Sequence, residues 1–284
     1  MKKKKKSRAL TVILIIIIAA GLSLLLYPTI ADSINSRHQT KVISSYKEKV
    51  SELSEEDYSE EWQEATDYNA SLKDRVNMYR LSEEEKIRYG NCLNILGNGI
   101  MGYIKIPVIN VNLPIYHGTS DGVLDRGVGH LEWSSLPVGG EGSHCVLSGH
   151  RGLPSSKLFT QLDKVREGDT FELYVLDEKL TYEVDQIRVV EPKDVETLIL
   201  EEGKDYCTLV TCTPYGINTH RLLVRGHRVE NDDDTVTVNV TGDAVQIRPV
   251  LVAVIVEIPV ILLTALFLLI FTKRRKKKET RNNK

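Results

Sequence analysis

The sequence predicts a mainly β protein, in which N-terminal helices precede a closed barrel of short strands and two membrane-spanning helices flank the whole. Three observations predict this fold class. From residue 101 onward, short runs rich in β-branched and aromatic residues alternate with Gly, Pro, Asp and Asn. Residues 30–98 are polar, acidic and free of proline, with apolar residues at helical spacing. Both ends of the chain carry long apolar segments.

The apolar segments are residues 9–27 and 249–271, and each is long enough to cross the hydrocarbon core of a bilayer, about 30 Å thick, as a helix. Basic tails flank them at residues 1–8 and 272–284. Because basic flanks stay on the cytoplasmic side, we expect both termini in the cytoplasm and the part between the spans outside the cell. The sequence therefore predicts a two-pass protein of the cell membrane.

The first apolar segment has an alternative interpretation as a signal peptide, with Thr29 and Ala31 at the processing site. Its apolar run is longer than the roughly 7 to 15 residues that are usual in signal peptides. We therefore interpret it as an uncleaved anchor.

Residues 28–100 are predicted to form an extracellular helical region. Leu72, Val76 and Tyr79 recur at helical spacing, and Ser82 followed by Glu85 has the pattern of a capping box. We expect two or three helices, one of them within residues 82–96.

The strand-like runs fall within residues 101–241, the predicted barrel domain. They are residues 102–107, 108–115, 145–148, 170–176, 180–190, 206–211 and 221–229. Seven or eight short strands over about 130 residues predict a closed or nearly closed barrel with one sizeable core. Short helical inserts are expected at residues 158–165 and 195–200.

The formal net charge of −2 conceals an asymmetry along the chain. Between the two apolar segments, acidic residues outnumber basic ones by about 14. An acidic exterior repels phosphate backbones, so we expect no nucleic-acid partner.

The four cysteines are few for an external domain of this size. They are Cys92, Cys145, Cys207 and Cys212. No Cys-x-x-Cys pair occurs, and residues 230–234 lack the glycine and spacing of a calcium loop. The sequence therefore predicts no metal, no cofactor and no dense disulfide framework. Cys207 and Cys212 are separated by an odd number of positions, which places them on opposite faces of a strand.

Cys212 is the cysteine that the pattern marks as reactive. It ends the strand-like run 206–211, because Pro214 cannot donate to a β-ladder. The next run starts at Arg221, after a connection that contains the turn formers Gly216 and Asn218. If the two runs pair as a hairpin, Cys212 and Arg221 lie side by side.

A nucleophilic cysteine needs a base and a donor for the oxyanion that forms on attack at a carbonyl. His150 lies between Gly149 and Gly152, just beyond a strand-like run, where the chain turns and a side chain can face a cleft. Arg221 is permanently charged and forked, which suits a developing oxyanion. The alternative bases are His117, His130, His144, His220 and His227, and the pattern does not exclude His117.

The segment Thr208-Leu209-Val210-Thr211-Cys212 matches the Thr-Leu-x-Thr-Cys signature of sortases, and Arg221 stands at that family's usual distance of nine residues beyond the cysteine. The resemblance covers residues 101–229 and also includes His150. Within that family the chain is most similar to class C, pilus-assembling sortases, because of residues 213–221 and the second apolar segment.

This resemblance implies an eight-stranded β-barrel transpeptidase on the outer face of a Gram-positive cell membrane. Cys212 would be the nucleophile, His150 the general acid and base, and Arg221 the oxyanion stabiliser. Thr211, Thr213 and Arg225 would bind substrate, although a neighbouring carboxylate is the alternative partner of Arg225. The substrates would be pilins or surface proteins that carry a Leu-Pro-x-Thr-Gly-like sorting signal, with a pilin lysine as acceptor.

The chain departs from class C sortases in its lid region. Such enzymes commonly carry a lid that an Asp-Pro-aromatic motif anchors in the active site, whereas residues 29–106 contain no proline. Met78 and Tyr79 lie in the corresponding region, where they either close the cleft differently or belong to an ordinary connection between helices. Two other functions stay open, anchoring of proteins to a peptidoglycan precursor and a barrel that only binds.

Overall fold

A computed structural model describes residues 2–73 and 79–231, with side chains from residue 13 onward. The chain divides into two units, and residues 32–233 form the one that holds the barrel. Three predictions lie outside the described residues: the second apolar segment, the C-terminal basic tail and the lid role of Met78.

The first helix, α1, runs from Lys2 to Ser51 and continues through Pro28. Its part from Ile13 onward is the one helix among the described residues that is long and apolar enough to cross a membrane. This agrees with the predicted span at residues 9–27. Helix α1 continues beyond residue 27 into the region predicted to be helical and ends at Ser51.

Two shorter helices follow, α2 (Glu55–Leu72) and α3 (Glu83–Asn91). The capping box predicted at the start of α3 is present: the amide of Glu85 donates to Ser82 Oγ at 3.2 Å, and the Ser82 amide donates to Glu85 Oε2 at 2.6 Å. These bonds satisfy two amide groups that have no partner within the helix. The prediction of two or three helices in this region is confirmed.

The barrel consists of eight strands. They are β1 (Ile100–Ile106), β2 (Val111–His117), β3 (Val128–His130), β4 (Ser143–Ser148), β5 (Thr170–Val175), β6 (Glu178–Val190), β7 (Asp205–Thr213) and β8 (His220–Val229). They close in the order β1-β2-β3-β4-β7-β8-β6-β5. The predicted closed barrel is therefore confirmed.

Short helices lie between the strands. They are 3₁₀ turns at Pro107–Ile109, Leu162–Lys164 and Glu196–Leu198, and the one-turn helix α4 at Asp121–Leu124. The first of these turns differs from the prediction, which continued a strand through residues 108–110. Asn110 adopts the left-handed conformation with φ of 51°, and Pro107 begins the turn, so the chain reverses before β2.

Two strand pairs are parallel, β2 with β3 and β4 with β7, and the other six are antiparallel. The β4–β7 pair joins two central strands whose carboxyl ends therefore lie at the same edge of the barrel. This edge carries the candidate site.

Alternate side chains of the strands fill the barrel interior, including Phe171, Tyr182, Leu209 and Val224, all fully buried. The helices α2 and α3 contribute Tyr68, Leu72 and Tyr89 to the same apolar core. Helix α1 is tied to the barrel through Tyr46, whose hydroxyl donates to the carbonyl of Met101 at 3.1 Å and accepts from the amide of Leu176 at 2.8 Å. The helices are thus packed into the unit that holds the barrel.

Candidate active site

Cys212 lies near the end of β7 and is the register partner of Arg221 on β8. The neighbouring residues Thr211 and Leu209 point into the barrel and are buried, so Cys212 lies on the outer face, half-buried, together with Val210. The predicted hairpin is confirmed, although β7 extends through Cys212 to Thr213.

The connection between the two strands turns at the residues that the sequence indicated. The amides of Ile217 and Asn218 both donate to the carbonyl of Pro214, at 3.1 and 2.9 Å. Gly216 and Asn218 have positive φ angles of 75° and 61°, which glycine and asparagine adopt at low cost. The loop therefore brings the chain directly from Cys212 back to Arg221.

His150 follows the end of β4, which runs parallel to β7 with Ser148 opposite Val210. The amide of Gly149 donates to the carbonyl of Val210 at 3.0 Å, and Thr211 Oγ1 donates to the carbonyl of Gly149 at 2.7 Å. These bonds hold the residue before His150 against the residue before Cys212. The two predicted catalytic side chains therefore leave neighbouring strands at the same edge.

Two glycines allow the His150 loop to take this path. A Cβ atom at Gly149 would lie 2.6 Å from the ring of Phe159, and one at Gly152 would lie 2.9 Å from the ring of Tyr215. Gly152 also has a positive φ of 80°. A larger residue at Gly149 would collide with the buried Phe159, and one at Gly152 would be strained by the positive φ.

His150 is half-buried, and its Nε2 atom lies 3.9 Å from Oδ1 of Asp125. Three of the alternative histidines have both ring nitrogens in contact with other protein groups. In His117, which is half-buried, they contact the carbonyls of Gly99 and Cys92 at 3.0 and 2.9 Å, and burial lowers the pKa of this imidazole. A ring whose two nitrogens both contact carbonyls is poorly placed to exchange protons with a substrate, so the geometry favours His150 over His117.

The remaining histidines are also less suitable. His130 and His144 are buried, with contacts from both ring nitrogens to neighbouring groups. His220 points to the face opposite Arg221, because the two are consecutive on β8. His227 pairs with Tyr206, six positions along the β7–β8 ladder from the Cys212 pair.

Arg221 is held by the backbone of its own loop. Its Nη1 atom donates to the carbonyls of Asn218 at 3.2 Å and His220 at 3.0 Å. Within the described ranges 2–73 and 79–231, no hydrogen bond engages its Nε or Nη2 atoms. The guanidinium thus keeps donors for an oxyanion at the neighbouring Cys212.

Arg225 lies on the same face of β8 but is engaged elsewhere. Its Nε and Nη2 atoms donate to the two carboxylate oxygens of Asp185 at 3.0 and 2.9 Å, and its guanidinium lies 4.1 Å from the centre of the Tyr206 ring. This is the neighbouring carboxylate that the sequence offered as the alternative partner. Substrate binding by Arg225 stays a prediction.

The two threonines beside Cys212 also have protein partners. Thr211 is buried and donates to Gly149, and Thr213 Oγ1 accepts from Nη1 of Arg151 at 2.9 Å. Their predicted substrate contacts stay predictions as well. Arg151 itself was missed by the sequence analysis, because nothing in the local pattern points to a partner 62 positions away.

A second cluster of buried apolar side chains lies outside the barrel interior. It consists of Val146, Val210, Leu223 and Leu198, and Trp133 packs against it. The ring of Tyr79, one of the two predicted lid residues, meets the ring of Trp133 edge to face, with centroids 5.2 Å apart.

The other three cysteines are buried, and none of the four forms a disulfide. Cys145 and Cys207 are register partners on β4 and β7. Where the structure describes the chain, no group of three or more His, Cys, Asp or Glu side chains could hold a metal ion. Cys212 is thus the one cysteine of the four that is not buried.

Comparison with known proteins identifies the family that this fold and this site resemble. The Sortase domain family model matches residues 104–229. The structure of sortase C1 from Streptococcus agalactiae is 52% identical, with a TM-score of 0.66, and the match covers 68% of this chain and 100% of that one. A sortase C from Clostridium perfringens, solved with the C-terminal cell wall sorting motif, is 45% identical with a TM-score of 0.60, over 68% of this chain and 100% of that one.

A third structure, sortase C of Streptococcus pneumoniae, is 45% identical with a TM-score of 0.60, and the match covers 67% of this chain and 97% of that one. Sortase D of Bacillus subtilis is 34% identical over 131 residues, which are 45% of this chain and 63% of the relative. The match thus spans slightly less than two thirds of that relative's length.

The fold, the Cys212–Arg221 pair and these matches define a cysteine transpeptidase barrel. The chain belongs to the sortase family, and the solved structures that it resembles include class C sortases.

We expect iodoacetamide to modify only Cys212 in the folded, full-length protein in detergent. Cys92, Cys145 and Cys207 are at most 2% exposed. Burial raises the pKa of Cys92 to about 12 and that of Cys207 well above its ordinary value. Against the effect of burial, hydrogen bonds with Cys207 and His130 lower the pKa of Cys145, so the protection of this thiol depends on its inaccessibility. Peptide mass spectrometry locates the label. The Cys212→Ser variant, as control, should take up label only after unfolding, and labelling of native Cys145 or Cys207 would contradict the burial described here.

Proposed function

We propose that this protein is a class C sortase that cleaves a Leu-Pro-x-Thr-Gly-like sorting signal between Thr and Gly and joins the acyl group to a pilin lysine. The observation that carries the proposal is the meeting of Cys212, Arg221 and the His150 loop at one edge of the barrel. These three side chains supply a nucleophile, an oxyanion donor and a proton carrier, which are the groups that acyl transfer through a thioester requires.

In the first half of the reaction, the Cys212 thiolate attacks the carbonyl carbon of the Thr-Gly bond. Arg221, the register partner of Cys212, stabilises the negative charge that develops on the carbonyl oxygen. His150 protonates the departing glycine amine, which leaves the signal's threonine as a thioester on Cys212.

In the second half, a lysine amine of the acceptor pilin attacks the thioester carbonyl. His150 takes the proton from the amine, Arg221 again stabilises the oxyanion, and the thiolate leaves as an isopeptide bond forms. Water in place of the amine would give hydrolysis.

Pilins are the acceptor that we favour over a peptidoglycan precursor. The solved structures that the chain resembles include sortase C structures, one of which was solved with a sorting motif and another discussed for its pilin substrate specificity. The predicted second membrane span, at residues 249–271, is a further feature of class C.

The product identifies the reaction. Full-length protein mixed with a sorting-signal peptide, a lysine-bearing pilin and a peptidoglycan precursor should give an isopeptide-linked pilin product by mass spectrometry. Cys212→Ala should abolish the thioester, and His150→Ala should be nearly inactive, whereas His117→Ala should retain turnover if it folds. An inactive His117→Ala beside an active His150→Ala would overturn the assignment of the base, and a product linked only to a peptidoglycan precursor would overturn the pilin acceptor.

Arg221→Lys should lower kcat by about 10² or more, the scale seen when an oxyanion donor is removed. Lysine keeps the charge but loses the planar fork, so a requirement for oriented donation appears in kcat and much less in KM. Arg225→Lys is the matched control on the same face of β8. Near-normal kcat for Arg221→Lys would remove the oxyanion role, and a loss confined to KM or Tm would indicate a charge that attracts substrate or supports the fold.

We further propose a two-pass topology, with spans at residues 9–27 and 249–271 and the barrel outside the cell. Protease added to intact, wall-stripped cells should digest the chain between about residues 28 and 248 and leave both ends protected. Tags at either terminus make the fragments visible by immunoblot. A C-terminal tag that antibody or protease reaches from outside would contradict this topology.

A further inference from the structure

Arg151 follows His150 directly, and its side chain turns back toward the end of β7. It is only 9% exposed. Its Nη1 atom donates to Thr213 Oγ1 at 2.9 Å, and its Nη2 atom donates to Asp163 Oδ2 at 2.6 Å. A single buried guanidinium thus joins the His150 loop, the residue after Cys212 and the loop before β5.

This contact completes a symmetrical arrangement around the two catalytic side chains. Before Cys212, the hydroxyl of Thr211 donates to the carbonyl of Gly149, the residue before His150. After Cys212, the hydroxyl of Thr213 accepts from Arg151, the residue after His150. Each neighbour of Cys212 in the chain is therefore bonded to the matching neighbour of His150.

The Thr211–Gly149 bond and the Thr213–Arg151 bond lie in different parts of the strand pair. Thr211 and Gly149 lie one residue beyond Ser148 and Val210, the last register pair of the parallel β4–β7 ladder, and Gly149 also donates to the carbonyl of Val210. Beyond this point β4 has ended and β7 is about to turn at Pro214, so backbone pairing no longer sets the separation of the two segments. The Arg151–Thr213 bond spans this region.

The surroundings of Arg151 indicate that the Arg151–Thr213 bond does more than stabilise the folded protein. Its Nε atom is buried and has no hydrogen-bond partner in the part of the chain that the structure describes. A buried donor without a partner costs free energy, and an apolar side chain of similar volume would avoid that cost. Asp163 compensates the charge and orients the fork toward Thr213.

We propose that Arg151 is a positioning residue, which sets the placement of His150 relative to Cys212 through its bond to Thr213 and its ion pair with Asp163. The inference rests on the proposed function, in that His150 must exchange protons at Cys212. Arg151 itself touches neither substrate nor the reacting atoms. It acts through the two segments that it joins.

The kinetic test uses full-length protein in detergent. Thr213→Val removes the hydroxyl with little change of shape, and Arg151→Met removes the fork while keeping an unbranched stem. Each should lower kcat by about 10- to 100-fold, because a displacement of about 1 Å between reacting groups has effects on this scale. Thr213→Ser keeps the hydroxyl and should restore kcat, and KM should change by less than about threefold in every variant if Thr213 does not bind substrate.

A double-mutant cycle shows whether the two side chains act as one unit. The kcat of Thr213→Val combined with Arg151→Met should be close to that of either single variant, because each removes the same bond. The matched control is Arg166→Met, which removes an arginine that bonds only backbone carbonyls, those of Asp163 and Val165. It should keep normal kcat.

A second measurement needs no substrate, so it separates failure of this proposal from failure of the proposed function. The rate of Cys212 alkylation by iodoacetamide is measured between about pH 5 and pH 10 for each variant, since the thiolate is the reacting form. Loss of His150 in His150→Ala should change this pH profile. Arg151→Met and Thr213→Val should change it in the same direction, while Thr213→Ser and Arg166→Met should match the unmodified protein.

The outcomes decide the proposal as follows. If the unmodified protein makes no thioester but the alkylation profiles behave as described, the proposed function fails and the positioning role stands. If Arg151→Met and Thr213→Val keep the normal profile and kcat within about twofold, or lose only Tm, Arg151 is structural and the proposal is overturned. It is equally overturned if His150→Ala leaves the profile unchanged, because no coupling between His150 and Cys212 then exists for Arg151 to set.

Discussion

The parallel pairing of β4 with β7 is the interaction on which the candidate site depends. Parallel strands end at the same edge, so the chain leaves β4 at Ser148 beside the point where β7 reaches Val210. The hydrogen bonds of Gly149 to Val210 and Thr211 extend this pairing by one residue. Antiparallel pairing would have placed His150 at the opposite end of the barrel from Cys212.

The antiparallel β7–β8 pair supplies the other side of the site. Cys212 is thus on a strand with two different neighbours: a parallel one that delivers the histidine and an antiparallel one that delivers Arg221. The barrel holds both relationships because β7 is an interior strand with bonds on both edges. Rigid strands position such groups more closely than loops do, which suits acyl transfer, where small displacements are costly.

Local sequence signals predicted those parts of the molecule that depend on neighbours in the chain. The β7–β8 hairpin, its turn residues Gly216 and Asn218, and the capping box at Ser82 all depend on residues close in sequence. Strand β3 was missed because three residues are too few for an alternating pattern. The strand order, and with it the β4–β7 contact, is a matter of tertiary packing that periodicity does not encode.

The same distinction applies within the site. Cys212 and Arg221 were placed together from the hairpin alone, whereas His150 came from the family resemblance and from its position after a strand. The engagement of Arg225 by Asp185, 40 positions away, and of Thr213 by Arg151 follows from contacts between distant segments. Sequence reasoning could therefore name the catalytic groups but not the side chains that hold them in place.

Strand register finally explains why one strand carries both an inert and an accessible thiol. Cys207 and Cys212 are five positions apart on β7, so one faces the core and the other the outer surface. A slip of one residue would bury Cys212 and expose Thr211. Gly226, opposite Cys207, fixes the position of its own strand β8, because a Cβ there would lie 2.8 Å from the ring of Phe171. The packing of the barrel core thus fixes which cysteine can react.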